Sequence, residues 1–146
     1  MKKLSWFVGA FLAAASLAAA CGGSGSDVRK VIVNEGVCGG QVRFLRMKLG
    51  ETNRVIVDNK QHSANQESIA LVLDRFPLLV KGDVPEGSTI GSPYSTINVR
   101  SAAGEEHSVD VEPTFSGTFK AQCNVSLHDG SGRRIVQTTV TFELVP

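Results

Sequence analysis

Short runs in which apolar and polar residues alternate dominate the chain from residue 28 onward. The runs are rich in Val, Ile, Thr and Phe, and Gly, Asn, Asp and Pro separate them, as is typical of β-strands joined by turns. No segment has the apolar spacing of an amphipathic helix. The pattern predicts a turn-rich loop over 82–93 and strands over 28–33, 42–49, 54–57, 68–73, 76–80, 95–100 and 108–111.

The clearest expectation is a hairpin that closes the chain around a turn at 128–132. On each side of this turn, every second residue belongs to a stripe that is apolar except for Thr138, namely Phe119, Ala121, Cys123, Val125 and Leu127, then Val136, Thr138, Val140, Phe142 and Leu144. Seven to nine short strands with no helices to cover a parallel sheet favour an all-β fold. We therefore expect an antiparallel Greek-key β-sandwich, of either the cupredoxin-like or the Ig-like kind.

The N-terminus has the pattern of an export signal. Lys2 and Lys3 precede an apolar run, Trp6–Ala20, that is too short to span a bilayer core. Residues 16–21, Ser-Leu-Ala-Ala-Ala-Cys, resemble the bacterial lipobox. The resemblance implies cleavage before Cys21 and lipidation of its sulfur, which gives an exported, membrane-anchored lipoprotein. The alternative is a soluble secreted protein that is cleaved after Ala20.

These features divide the chain into a signal peptide over 1–20, a Gly/Ser tether over 21–27 and one domain over 28–146. Loss of Lys2 and Lys3 with the signal leaves 13 of the 15 basic residues against 14 acidic ones. A charge near zero without a basic run lacks the electrostatic footprint of a nucleic-acid binder. The expected partners are the membrane, through the lipid on Cys21, and an envelope protein.

Lipidation of Cys21 leaves two cysteines, Cys38 and Cys123. In an oxidising compartment such a pair most often forms a disulfide, and metal ligation is the alternative. Cys123 has the same parity as the apolar residues around it, so its side chain is expected to point into the core. That position favours a disulfide over a ligand in a loop.

The order of predicted strands and the sequence Gly117-Thr-Phe-Lys-Ala-Gln-Cys123 resemble a cupredoxin. In that family the resemblance implies copper held by two His, a Cys and an axial Met. Cys123 and His128 match the Cys-x4-His part of this pattern. The Met position carries Gly132, the only methionine after the signal is Met47, and the upstream His position carries Asn65 or Glu67, with His62 in the same loop.

A narrower resemblance is to the cupredoxin-like domain of EfeO-type periplasmic iron-uptake lipoproteins. It rests on a cysteine after the first strand, a glutamate that opens a central strand and the late cysteine, which here are Cys38, Glu67 and Cys123. The resemblance implies metal handling with a copper or iron ion at these residues, and His128 is a further candidate ligand. The alternative is a metal-free, disulfide-bridged interaction module that presents loops such as 82–93 to a partner.

Glu67 is expected to be unusual because it shares the parity of the apolar residues Ile69, Leu71 and Leu73. An inward carboxylate requires a partner such as a metal, Arg43 or backbone donors, whereas a carboxylate at the rim reaches water. No nucleophile motif, phosphate-binding loop, zinc-protease motif or dinucleotide fingerprint is present in the sequence. We therefore expect a protein that is not an enzyme.

Overall fold

The alternating runs become nine strands over residues 28–146, the part of the chain that a computed structural model describes. The signal peptide, the tether and the lipidation expected at Cys21 lie outside these residues. The strands are β1 (Arg29–Val33), β2 (Leu45–Lys48), β3 (Asn53–Asp58), β4 (Gln66–Phe76), β5 (Leu78–Lys81), β6 (Ser95–Ala102), β7 (Glu106–Pro113), β8 (Gly117–Asp129) and β9 (Gly132–Val145). The expectation of an all-β sandwich with seven to nine strands is confirmed.

The strands form two sheets, one with the order β1-β3-β7-β5 and the other with the order β2-β9-β8-β4-β6. Successive strands alternate between the sheets at every connection except the last. That last connection is the expected hairpin of β8 and β9, in which Asp129 pairs with Gly132. Apart from β8 and β9, strands that follow one another therefore lie in opposite layers of the core.

The sheets are mixed, which corrects the expectation of a wholly antiparallel sandwich. β1 pairs with β3 in parallel, and β2 pairs with β9 in parallel, while the other pairings are antiparallel. The physical reason is that β1 and β2 belong to different sheets and each adds to an edge beside a strand distant in sequence. Alternation within a strand reports which face is buried and carries no information on the direction of its neighbour.

One short helix, α1 (Glu35–Cys38), lies between β1 and β2, where no helix was expected. The prediction that no segment forms a helix was wrong here, because a single turn is too short to show helical periodicity. The turn begins at Asn34, whose side-chain oxygen accepts a hydrogen bond from the Val37 N–H at 3.0 Å. Within residues 28–146, no helix has the length and apolarity needed to cross a bilayer.

The core lies between the inward faces of the two sheets and is continuous through both. Phe76 at the end of β4 is fully buried and contacts two other rings, Phe142 edge-on at 5.7 Å and Phe119 at 5.3 Å between centroids. Met47 in β2 is also fully buried. A core of this kind holds the connections between strands, and with them the candidate site residues, in defined positions.

Candidate functional site

The structure joins Cys38 and Cys123 in a disulfide, with Cα atoms 5.7 Å apart. Cys38 is the last residue of α1, and Cys123 lies in the middle of β8. Both are almost completely buried, at 2% and 0% exposure, so the expected inward orientation of Cys123 is confirmed. A disulfide is consistent with an exported protein in an oxidising compartment. In this oxidised form neither sulfur is a thiolate available to a metal.

Glu67 lies outside the core, although its parity suggested otherwise. The pairing of β4 with β8 shifts register between Gln66 and Ser68, and both of those residues are buried. Such a bulge adds one residue to the strand and resets which side chains face inward. Glu67 is therefore 40% exposed, as the alternative of a carboxylate at the rim anticipated, and forms an ion pair with Arg133 at 3.1 Å.

His128 joins this surface pair from the end of β8. Its Nδ1 lies 3.7 Å from Glu67 Oε1, and its side chain is 63% exposed. The His128 backbone N–H donates to the Asn65 carbonyl at 2.7 Å, which fixes the end of β8 to the start of β4. Glu67, His128 and Arg133 thus form a solvated polar cluster across three strands.

The four expected metal ligands separate into two pairs in the structure. Cys123 pairs with Leu71 in the sheet, four positions from Glu67 along β4. At the rise of a β-strand these four positions span about 13 Å, which is too far for ligands of one ion. No three His, Cys, Asp or Glu side chains among residues 28–146 come together as a metal-binding group.

The other residues considered for copper are also dispersed. Met47 is in the core, and the exposed His62 ring forms a hydrogen bond with the neighbouring Ser63 carbonyl at 3.0 Å. Gly132 opens β9 with a positive φ of 113°, a conformation that favours glycine. The positive φ therefore accounts for a glycine at the position where the cupredoxin pattern has Met.

A buried polar chain connects the two sheets at one end of the sandwich, and the sequence did not indicate it. Gln66 Nε2 donates to Asn59 Oδ1 at 2.5 Å, and Asn59 Nδ2 donates to the Ser101 carbonyl at 3.2 Å. The Ser101 hydroxyl donates to the Val57 carbonyl at 2.7 Å and accepts from the His107 N–H at 3.0 Å. The only sequence signal was a serine at an inward position of β6.

The connection from β5 to β6 forms a distinct surface, here called the 82–94 segment. Three of the nine large exposed apolar side chains in residues 28–146 lie in it: Val84 at 51%, Ile90 at 46% and Tyr94 at 45%. Its backbone is held to β6, because Thr89 and Thr96 exchange two hydrogen bonds of 2.7 and 2.8 Å. The expected turn-rich loop is therefore hydrogen-bonded to β6, and it exposes apolar side chains to solvent.

Beside this segment lies an open cleft of about 680 Å³, between residues 83–87 on one side and β6 with the start of β7 on the other. Asn98 lies in its wall, and the Asn98 Oδ1 atom is buried with no hydrogen-bond partner. Three carboxylates, those of Asp83, Glu86 and Glu105, also line the cleft. Its volume falls in the range of ligand-binding clefts.

No protein-family model, curated protein or solved structure matches this chain.

Proposed function

We propose that this protein is a lipid-anchored, disulfide-bridged β-sandwich that acts as an interaction module of the cell envelope. Cys21 would carry the lipid, residues 22–27 would be the tether, and the sandwich would be the part that binds a partner protein. The observation that carries the proposal is the 82–94 segment, an ordered surface with three exposed apolar side chains beside a cleft lined by both charged and apolar residues.

Order in this segment favours binding. A mobile loop loses conformational freedom when it binds, and that loss reduces affinity. Here the backbone is held by the Thr89–Thr96 pair and by the Ser88 hydroxyl, which accepts from the Asn98 N–H at 2.9 Å. At the base of the segment, the Ser95 hydroxyl donates to the Leu78 carbonyl at 3.1 Å. Val84, Ile90 and Tyr94 are thus presented on a preorganised backbone.

Metal handling by a cupredoxin-like or EfeO-type domain is the competing proposal. It would require the Cys38–Cys123 bridge to be reduced, and it would require Glu67 and His128 to leave their contacts with each other and Arg133. Thiol titration with and without reductant, combined with elemental analysis of the purified chain, distinguishes the two functions. A disulfide with no bound metal supports the interaction module, and two thiols with stoichiometric copper or iron support metal handling.

Site-specific photo-cross-linking in intact cells tests the interaction module directly. A cross-linking amino acid at Val84, Ile90 or Tyr94 should yield discrete adducts with the same envelope protein. The matched control is Ile32, which is 47% exposed on β1, at the edge of the first sheet farthest from β5. Adducts of equal yield from Ile32, or none from the 82–94 segment, would contradict the proposal.

A further inference from the structure

We propose that the cleft beside the 82–94 segment binds a short, extended, basic peptide segment that pairs with the backbone of β6. The inference rests on the proposed function, since it states what kind of partner the interaction module recognises. Three observations carry it: unpaired backbone groups on an edge strand, a buried acceptor without a donor, and an excess of carboxylates.

β6 is an edge strand of the second sheet, so the backbone groups of alternate residues point away from β4. Thr96 and Asn98 belong to the outward set, because their N–H groups donate to the Thr89 carbonyl and to the Ser88 hydroxyl. At the other end of the strand, the Ala102 carbonyl accepts from the Glu105 N–H at 3.0 Å. Both ends of this edge are therefore covered by the protein itself.

The middle of the edge is open. By the same alternation, the Arg100 N–H and C=O and the Asn98 C=O point outward, and within residues 28–146 no protein group pairs with them. These three groups lie where β6 lines the cleft. Unpaired groups on an edge strand are the features that an added peptide strand recognises.

Asn98 supplies the second observation. Its Oδ1 is a buried acceptor with no donor within the described residues, and unpaired buried acceptors are rare in folded proteins. Gly87 lies opposite, and a Cβ atom there would be only 3.1 Å from Asn98 Nδ2, so the glycine leaves room for this amide. The Asn98 side chain would have to rotate toward the cleft for a peptide donor to reach this oxygen, because the atom itself has no exposed surface.

The charge of the lining gives the third observation. Three carboxylates line the cleft together with one guanidinium, that of Arg100, and the His107 imidazole, whose Nδ1 lies 3.8 Å from Glu105 Oε2. Arg100 Nη2 donates to the neutral Ser68 hydroxyl at 3.3 Å, so the Arg100 charge is kept and the three carboxylates exceed it by two. An acidic cleft favours a cationic ligand and disfavours an anionic one. We therefore assign a lysine- or arginine-bearing peptide as the occupant.

Binding of a defined probe to the full-length chain in mild detergent tests this inference. The probe is an acetylated and amidated pentapeptide that alternates lysine with valine, and the comparison peptide has glutamate in place of lysine. The lysine peptide should bind at least about tenfold more tightly, and it should shift the amide NMR signal of Arg100. Equal binding of both peptides, or no shift at Arg100, would overturn the inference.

N-methylation of the probe tests strand pairing specifically. Only alternate amides of an added strand face the protein, so methylation at the central lysine and methylation at the two valines should have unequal effects. One set should weaken binding by at least about tenfold, and the other should change it by less than about threefold. Equal effects of the two sets would exclude pairing with β6.

Variants of Arg100 give a matched test on the protein side. Arg100→Pro removes the backbone donor at an edge position where proline is tolerated, whereas Arg100→Ala retains that donor and removes only the side chain. Binding should be lost in R100P and kept in R100A. If R100P does not fold, the N-methylated peptides still decide the question.

The inference and the proposed function fail in different ways. Cross-links from Val84, Ile90 and Tyr94 without binding of the lysine peptide would overturn the peptide-binding inference and retain the interaction module. Absence of such cross-links would overturn the interaction module, whatever the peptide does.

Discussion

At the scale of single residues, Cys123 and Glu67 were expected to share one site. The structure places them in different environments. Cys123 faces the core at a regular position of β8 and forms a disulfide with Cys38, whereas Glu67 is the extra residue of a bulge in β4 and faces solvent. Cys123 faces inward because side chains alternate without interruption along β8. Glu67 faces outward because the bulge inserts one residue into β4. The cysteine therefore contributes to stability, and the glutamate belongs to a surface ion pair.

Removal of the disulfide should strongly destabilise the domain. The bridge joins residues 85 positions apart, and a closed loop of that length stabilises by about 4 kcal/mol through restriction of the unfolded chain. We expect the double variant Cys38→Ala/Cys123→Ala to lose about that free energy of unfolding in urea titrations. The control Cys21→Ser leaves the bridge intact and should match the parent. A loss below about 1 kcal/mol in the double variant would contradict a structural role for the bridge.

Stability should also depend on pH through Asp110. Two hydrogen bonds from the Arg54 guanidinium, at 2.7 and 2.8 Å, lower the pKa of Asp110 below its ordinary 3.8, and burial opposes this only in part. Because the folded state holds the carboxylate ionised, the stabilisation is present above pH 3.8 and is lost as the pH falls through the lowered pKa.

The measurement is the free energy of unfolding in urea over a series of acidic pH values. In the variant Asp110→Asn, the free energy of unfolding should fall less steeply as the pH decreases below 3.8. Arg54→Met removes the cause of the lowered pKa and should flatten the curve similarly, and the double variant should add little to either change. An unchanged slope in both single variants would show that this pair does not contribute to acid sensitivity.

At the scale of elements, short connections are held by side-chain amides. Asn34 caps α1, which carries Cys38 to β8. Asn53 organises the connection of β2 with β3, where its Oδ1 accepts from the Lys48 N–H and its Nδ2 donates to the Lys48 and Glu51 carbonyls, at 3.0, 3.0 and 2.7 Å. Each amide satisfies backbone groups that would otherwise lack partners at the end of an element.

Loss of the Asn53 amide should destabilise the sandwich because Asn53 is fully buried. Asn53→Ala removes three hydrogen bonds, each worth about 1 kcal/mol, so we expect a loss of about 3 kcal/mol in thermal or urea unfolding. Asn53→Asp places a carboxylate oxygen against two carbonyls and should be no better than alanine. The control Gln122→Ala changes an exposed amide on β8 and should shift stability by less than about 0.5 kcal/mol. A similar cost at both positions would contradict this role of Asn53.

At the scale of the whole molecule, the alternation of strands between sheets unites them in one core. Every connection except the β8–β9 hairpin crosses from one layer to the other, and the disulfide adds a link between α1 and β8. The two sheets therefore cannot move apart without disrupting most of the connections between strands. The same topology leaves the middle of β6 as an open edge beside the 82–94 segment.

Unfolding should consequently be a single cooperative transition. Methyl NMR signals of Val57 in the first sheet and Leu71 in the second, both fully buried, should disappear at the same urea concentration as the far-ultraviolet circular dichroism signal. Midpoints that differ between the two methyl probes would show that the sheets unfold separately.

The amino-acid sequence alone determined the number and approximate position of the strands, the inward face of each regular strand and the presence of two cysteines suited to a disulfide. These properties follow from alternation with a period of two, which is local to each strand. Tertiary structure decided the parallel pairings, the outward orientation of Glu67, the polar chain through Gln66 and Ser101 and the open edge at Arg100. Each of these depends on which distant strand lies alongside, in which direction it runs and where the pairing has a bulge, and side-chain alternation identifies only the inward face of a strand.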